Sequence, residues 1–318
     1  MKNNFPTAVF FIALFIMTCT ELYADNNPTK LKGRISISGA WALYPMVVKW
    51  AEEFRKINPD VKIDISAGGA GKGIADALAG IVDFGMVSRD IYPAEVNKGA
   101  WWASVTKDAV VPVVNAKNPK LKELLAQGMT REKLIGIWVT EKTKKWEDAV
   151  KAEGSSAIHA YTRSDACGAA ETWAKYLGMK QEDLEGTGVY GDPGLADAVK
   201  GDVLGIGYNN INFVYDSKTK KQVAGVKILP IDLNGDGKID ETENFYETLD
   251  QVVDAINNGF YPSPPARELH LVSKGKPANP VAAEFLKWIL SDGQAFVSDS
   301  GYIGLPEEKL RSESDKLK

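Results

Sequence analysis

Apolar residues in this chain recur first at every second position and then at every third or fourth, and the two rhythms alternate. Residues 34–39 alternate as a strand, and 44–57 follow with Val47, Trp50, Ala51, Phe54 and Ile57 at helical spacing, which predicts one buried stripe. Residues 61–66 alternate again, 67–73 form a turn of small residues, 74–79 read as a short helix and 82–87 as a third strand. Strand–helix–strand–helix–strand is the pattern of a sheet covered on both faces, so the fold class is α/β.

The same rhythm runs on. Residues 109–114 form a continuous apolar strand, and 130–138 a short helix with Thr130 as N-cap and Glu132 in its first turn. A strand at 158–162 leads into a helix at 169–177. A short helix at 194–200, a strand at 203–208 and a strand-like run at 223–231 come next. The helix at 248–258 carries Leu249, Val252, Val253 and Ile256 on one face. A strand at 268–272, an amphipathic helix at 280–290 and a last helix at 292–300 complete the fold, and the charged tail 307–318 is expected to be loose.

The first residues break the pattern. Lys2, an apolar run over 7–18 and a small residue at Ala24 make 1–24 a signal peptide, followed by a polar linker at 25–32. The run is short for a bilayer span of roughly 20 residues. Cys19 as a lipoprotein anchor ranks below cleavage at Ala24, because Ile16-Met17-Thr18 lacks a small residue just before it. With Cys19 removed, Cys167 is the one remaining thiol and no internal disulfide can form. A net charge of −4 without a basic stripe argues against nucleic acid. His159 and His270 are too far apart in sequence to suggest a metal pair.

Three turns share one design, in which a strand ends, small residues turn and a helix begins: 38–45, 66–73 and 163–169. Helix N-termini offer unpaired N–H groups and partial positive charge, and Arg163 adds a fork of donors that fits an oxyanion. The helix start would favour a thiolate at Cys167. No basic partner beyond Arg163 and no Cys–His–Asn set accompanies it, so it reads as a small residue filling a polar site and the chain as no enzyme. The glycine-rich turn is not a nucleotide loop, since Lys72 is followed by Gly73. A separate motif, 232–243, matches a twelve-residue calcium loop. Asp232, Asn234 and Asp236 offer side-chain oxygens, Lys238 its carbonyl, Asp240 a direct or water-borne ligand and Glu243 a bidentate carboxylate, with Gly237 at the sharp turn. A strand-like run precedes it instead of a helix, so the expected role is a structural calcium staple.

Several ordered motifs carry a family resemblance. They are Ser38-Gly39-Ala40-Trp41-Ala42-Leu43-Tyr44-Pro45, the turn at 69–74, Val82-Asp83-Phe84-Gly85-Met86-Val87-Ser88-Arg89, the run at 108–115, 163–168, Arg267-Glu268-Leu269-His270-Leu271, 285–294 and 301–306. With them the chain resembles the periplasmic phosphate-binding proteins of ABC importers, a branch of the two-lobed type II solute-binding family. The resemblance implies a type II periplasmic-binding-protein fold with two mixed, mainly parallel sheets, flanking helices and a hinge. Lobe 1 would comprise 33–114 and 266–306, and lobe 2 115–265. It also implies a monomer in the periplasm or outside the cell that captures an inorganic oxyanion, phosphate first, for an ABC permease. The alternative is a binding or sensor module of the same fold with an altered cleft and a different small ligand.

By the same resemblance, the ligand-gripping arginine is Arg163, with Asp165 beside it. The serine, glycine and threonine that follow in the family become Cys167, Gly168 and Ala169. The first turn contributes Ala42, Leu43 and Tyr44, with Leu43 at a hydroxyl position. The second contributes Ala70, in place of a serine, and Gly71, while Ser88 stands where the family has an acidic acceptor. Each hydrogen bond lost to a charged ligand is worth about 1.5–3 kcal/mol. Lys72, Trp41, Tyr44 and Thr172 are candidate replacements, and Glu171 is expected to face solvent.

Overall fold

The computed structural model describes Met1 and residues 31–318. Apart from Met1, the expected signal peptide lies outside the described residues, as do Cys19 and all but the end of the 25–32 linker. Nine strands are present there: β1 (Gly33–Gly39), β2 (Val61–Ala67), β3 (Phe84–Val87), β4 (Ala100–Asn115), β5 (His159–Arg163), β6 (Thr187–Val189), β7 (Gly205–Asn210), β8 (Val226–Ile228) and β9 (Ala266–Lys274). Their order is β2-β1-β3-β9-β4-β7-β5-β6, with β8 also beside β4. β1 is parallel to β2 and β3, and β5 is parallel to β6 and β7. β4 and β9 run antiparallel through the middle.

β4 is the element the two sheets share. Between Ala100 and Ala109 every residue but Val105 pairs with β9, and Val110 to Val114 then pair with β7 while Val113 to Asn115 pair with β8. Only its second part reads as a strand in the sequence. A register shift between Ser104 and Thr106 breaks the alternation of the first part, and a bulge of this kind hides a strand from a period-two pattern.

Each sheet has its own core. Trp50 and Phe54 of the Tyr44–Ile57 helix pack with Ile35, Phe84 and Leu271, and Phe54 meets Phe285 edge-on at 5.0 Å. Trp138, Trp173 and Tyr208 fill one side of the second sheet, with Trp173 stacked on Tyr208 at 5.7 Å. Val111, Tyr246, Leu249 and Tyr261 fill the other. The Tyr44–Ile57 helix forms because Pro45 fits its first turn and its apolar positions recur on one face.

Four expectations change. Ile57 is the last residue of its helix and stays 55% exposed, while Met46 joins the stripe instead. The run at 223–231 yields only the short β8, because Val223 turns back to hydrogen-bond the Val214 carbonyl at 2.7 Å and Gly225 adopts a positive φ of 96°. The last helix over 292–300 is a short 3-10 turn, Asp292–Phe296, whose Gly293 carbonyl accepts the Trp50 indole N–H at 2.7 Å. The tail is a helix, Glu307–Asp315, docked on the first sheet. Glu313 is buried there, accepts the Ser104 N–H at 3.2 Å and pairs with Lys309 and Lys316, and Leu317 joins the core.

Glu313→Ala should therefore destabilise the chain by about 1–3 kcal/mol, since it leaves the buried Ser104 N–H without its acceptor. Urea unfolding checks it, and an unchanged midpoint would mean that the tail is not docked in solution.

Candidate functional site

The three strand–turn–helix units, which follow β1, β2 and β5, meet at one place. Gly39 ends β1 at a positive φ of 130°, and a Cβ there would lie 2.4 Å from the Met86 carbonyl and 2.7 Å from Gly73. Only glycine allows that approach, which brings β3 and the Ala70–Leu78 helix against the first turn. The Gly39 carbonyl accepts the N–H groups of Gly68 and Gly69, at 2.9 and 3.1 Å, and so ties the second turn to the first. The helix of the second turn starts at Ala70, four residues before the sequence suggests, so Gly71 and Lys72 lie in its first turn.

The third turn comes from the other half. Gly71 donates its N–H to the Ala166 carbonyl at 3.1 Å, and a Cβ on Gly168 would lie 2.1 Å from the Ser88 carbonyl. Gly168 begins the Gly168–Leu177 helix, so two helix N-termini from opposite halves adjoin at this point. Ala42, Leu43, Ala70, Ser88 and Ala169 are all buried around it, and Tyr44 is half-buried.

Arg163, at the end of β5, is the centre of the arrangement, with its side chain only 1% exposed. Nε and Nη2 donate to the two oxygens of Asp165 at 2.8 and 2.6 Å, and Nη1 donates to Asp192 at 2.7 Å. Burial opposes the charge of Arg163, but the Asp192 and Asp165 carboxylates outweigh it and hold the guanidinium above its ordinary pKa. Burial pushes the Asp192 carboxyl up, with Arg163 acting in the opposite direction.

The network continues outward. Asn210 of β7 donates to Asp192 at 2.5 Å and accepts from Arg267 of β9, whose Nε donates to Asp108 of β4 at 2.8 Å. Arg267 also donates to Thr172 at 2.9 Å. Asp192, Asn210 and Asp108 are absent from the residues the sequence singles out for the site. A signal for Asp192 existed: Val189, Tyr190, Gly191 and Asp192 form a fourth strand–turn–helix unit, entering the Gly191–Gly201 helix. An acidic residue in a first helical turn suits the helix dipole.

Other expected residues are engaged elsewhere. Cys167 Sγ accepts the Ala170 N–H at 3.4 Å and so caps the helix. Burial pushes its thiol up to about 12, which keeps it protonated and poorly nucleophilic. Lys72 pairs with Asp76, which also accepts the Ser38 hydroxyl at 2.6 Å. Glu171 does not face solvent. It is half-buried, pairs with Arg89 at 3.1 Å and accepts from the Tyr92 hydroxyl, so it links the two halves on one flank. On the other flank Trp41 packs edge-on against Tyr190 at 6.3 Å and lies over Gly191, and its buried Nε1–H has no partner among the described residues. A groove of about 780 Å³ opens on the Glu171 side, lined by Arg89, Tyr92, Thr172, Arg267 and His270. Arg163 does not line it, so the groove flanks the central clamp without reaching it.

The comparisons with known proteins agree with this architecture. The model of the PBP superfamily domain matches residues 26–293. The phosphate-binding protein PstS of Staphylococcus epidermidis is 28% identical over 91% of this chain and 84% of its own length. That of Staphylococcus aureus is 24% identical over 98% of this chain and 90% of its own. A Clostridium perfringens protein solved with bound phosphate superposes with a TM-score of 0.70 at 23% identity, covering 86% of this chain and all of that one.

Arg163→Ala should destabilise the protein by about 3–5 kcal/mol, because Asp165 and Asp192 would stay buried without their counter-charge. Asp192→Asn, which keeps shape and removes a charge, should lose much less. Chemical denaturation of both variants checks the contrast, and equal losses would contradict it.

Proposed function

The chain belongs to the PBP superfamily, and from that premise we propose that it is an exported, monomeric receptor that captures a small oxyanion, phosphate first, between its two halves and delivers it to an ABC-type permease. The observation that carries this reading is Arg163, a fork of donors buried where turns from both halves meet. Two helix N-termini beside it supply the partial positive charge an anion seeks. The names of the staphylococcal relatives and the phosphate bound in the Clostridium perfringens protein support the same ligand.

Access requires the halves to separate, and the change of partners along β4 near Val110 is the natural pivot. Release then brings Gly168 away from Ser88 and Glu171 away from Arg89, and capture restores both contacts. With Asp165 and Asp192 already facing Arg163, an oxyanion that carries a proton is favoured. Hydrogen phosphate can donate to a carboxylate, and fully ionised sulfate cannot. The Trp41 indole N–H is a further donor at the cleft edge. A second reading rests on Leu43, Ala70 and Ala169, which present no hydroxyl: the same cleft takes a different small ligand.

Calorimetric titration with phosphate, sulfate, molybdate and tungstate decides between these readings. We expect heat with phosphate and much weaker binding of sulfate; silence with all four replaces the first reading by the second. Arg163→Lys, which keeps the charge and loses the fork, should weaken phosphate binding by at least about tenfold, or 1.4 kcal/mol. Gly168→Ala should weaken it at least as much, because its Cβ meets the Ser88 backbone only when the halves close. Its melting temperature should stay near that of the parent chain, and native affinity in this variant would disprove the proposed closure.

A further inference from the structure

The loop from Asp232 to Glu243 lies apart from the Arg163 clamp and takes no part in the function proposed above. It leaves the β8 side of the second half and returns to the core through Phe245 and Tyr246. Gly235 and Gly237 both have φ of 77°, with open space where a Cβ would stand. Glycine is needed here for the backbone conformation and not for room. The two ends of the loop are buried although they are acidic: Asp232 and Glu243 are each 3% exposed.

Among the described residues their surroundings answer that charge with backbone N–H groups but with no cation. Glu243 Oε1 reaches back into the loop and accepts the N–H groups of Leu233 and Asn234, at 2.7 and 3.2 Å. Its other oxygen, Oε2, is buried beside them with no hydrogen-bond partner. Asp232 accepts the Gly235 and Gly237 N–H groups at 2.7 and 3.0 Å. Among the described residues, none of Asp232, Asp236, Asp240 and Glu243 has an ion-pair partner. Two carboxylates held out of water beside each other are unfavourable without a positive charge between them.

We infer that this loop binds one calcium ion through Asp232, Asn234, Asp236, Asp240, the Lys238 carbonyl and the orphaned Glu243 carboxylate, and that the ion fastens the loop to the second half. Every ligand is an oxygen, and six or more of them on a flexible loop suit calcium better than the smaller magnesium, which demands a near-ideal octahedron. Among the described residues no group of three or more His, Cys, Asp or Glu is already gathered as a finished cage. Asp236 and Asp240 are exposed and instead accept the N–H groups of Lys238 and Thr242, at 2.9 and 2.8 Å. Binding would exchange these local bonds for the ion.

The consequence for the fold follows from what the loop touches. The Ile239 N–H donates to the Ala126 carbonyl at 3.0 Å and the Asp232 N–H to the Met129 carbonyl at 3.2 Å. The Ile239 side chain lies where a Cβ on Gly128 would collide with it at 2.4 Å. Tyr246 accepts the Ile231 N–H on its hydroxyl at 3.3 Å. An ion gripped by Asp232 and Glu243 would thus bind both ends of the loop to each other and to the turn at 126–129.

The test uses the full chain stripped with EDTA, at ionic strength matched with NaCl. Titration with calcium chloride should show one ion per chain with Kd in the range of about 10⁻⁴–10⁻³ M. At ten times Kd the folding equilibrium constant, read by urea unfolding, should rise about tenfold over EDTA, with a smaller effect from magnesium. Glu243→Gln should lose this response, and so should Asp236→Ala, whose exposed side chain leaves the metal-free fold intact. Superposed unfolding curves in calcium and EDTA would overturn the inference. So would an equal response to magnesium, or a calcium response that survives in Asp236→Ala.

Discussion

A guanidinium out of reach of water must have its charge answered within the protein, and Arg163 is such a group. Asp165 takes two of its donors and Asp192 a third. From this follow the turn that carries Asp165, the helix start that carries Asp192, and the two strands behind them. Asn210 and Arg267 extend the charge chain to Asp108, so β4, β5, β7 and β9 all contribute to one hydrogen-bonded line. Buried pairs of this kind add little net stability over apolar packing, but removing one member is costly, so they fix geometry more than they add strength.

Glycine governs the other half of the arrangement. Gly39, Gly71 and Gly168 are the points where backbone meets backbone between turns. A side chain at any of them would separate elements that have to adjoin. Where the sequence lacks hydroxyls, at Leu43, Ala70 and Ala169, the residues are small or apolar and packed into the core. The junction of the turns is therefore built from main chain, one arginine and its carboxylates.

Much of this was legible beforehand because it is local. A strand ending in small residues before a helix is visible in a single stretch, and all three such turns meet as spacing and resemblance suggest. Distant pairing was not legible. Asp192 lies 29 residues from Arg163, and only folding brings it there. The first part of β4 was hidden by its bulge, and the tail read as loose because its charges suggest solvent. Glu313 is instead satisfied by Ser104 and two lysines, which no pattern along the chain records. Glu171 misled for the same reason, since its partners Arg89 and Tyr92 come from the opposite half.

The sixteen-residue β4 has a mechanical consequence. It is laced to β9 over its first stretch and to β7 and β8 over its second. Translation of one sheet past the other would tear a ladder of hydrogen bonds all at once, whereas torsion about the strand axis spreads the distortion over many soft dihedrals. Of these two deformations of β4, the twist is the easier. A ligand that held the twist at one angle would thereby set the posture of the outer surface, and bound and free forms would be distinguishable from outside without any part of the ligand being exposed.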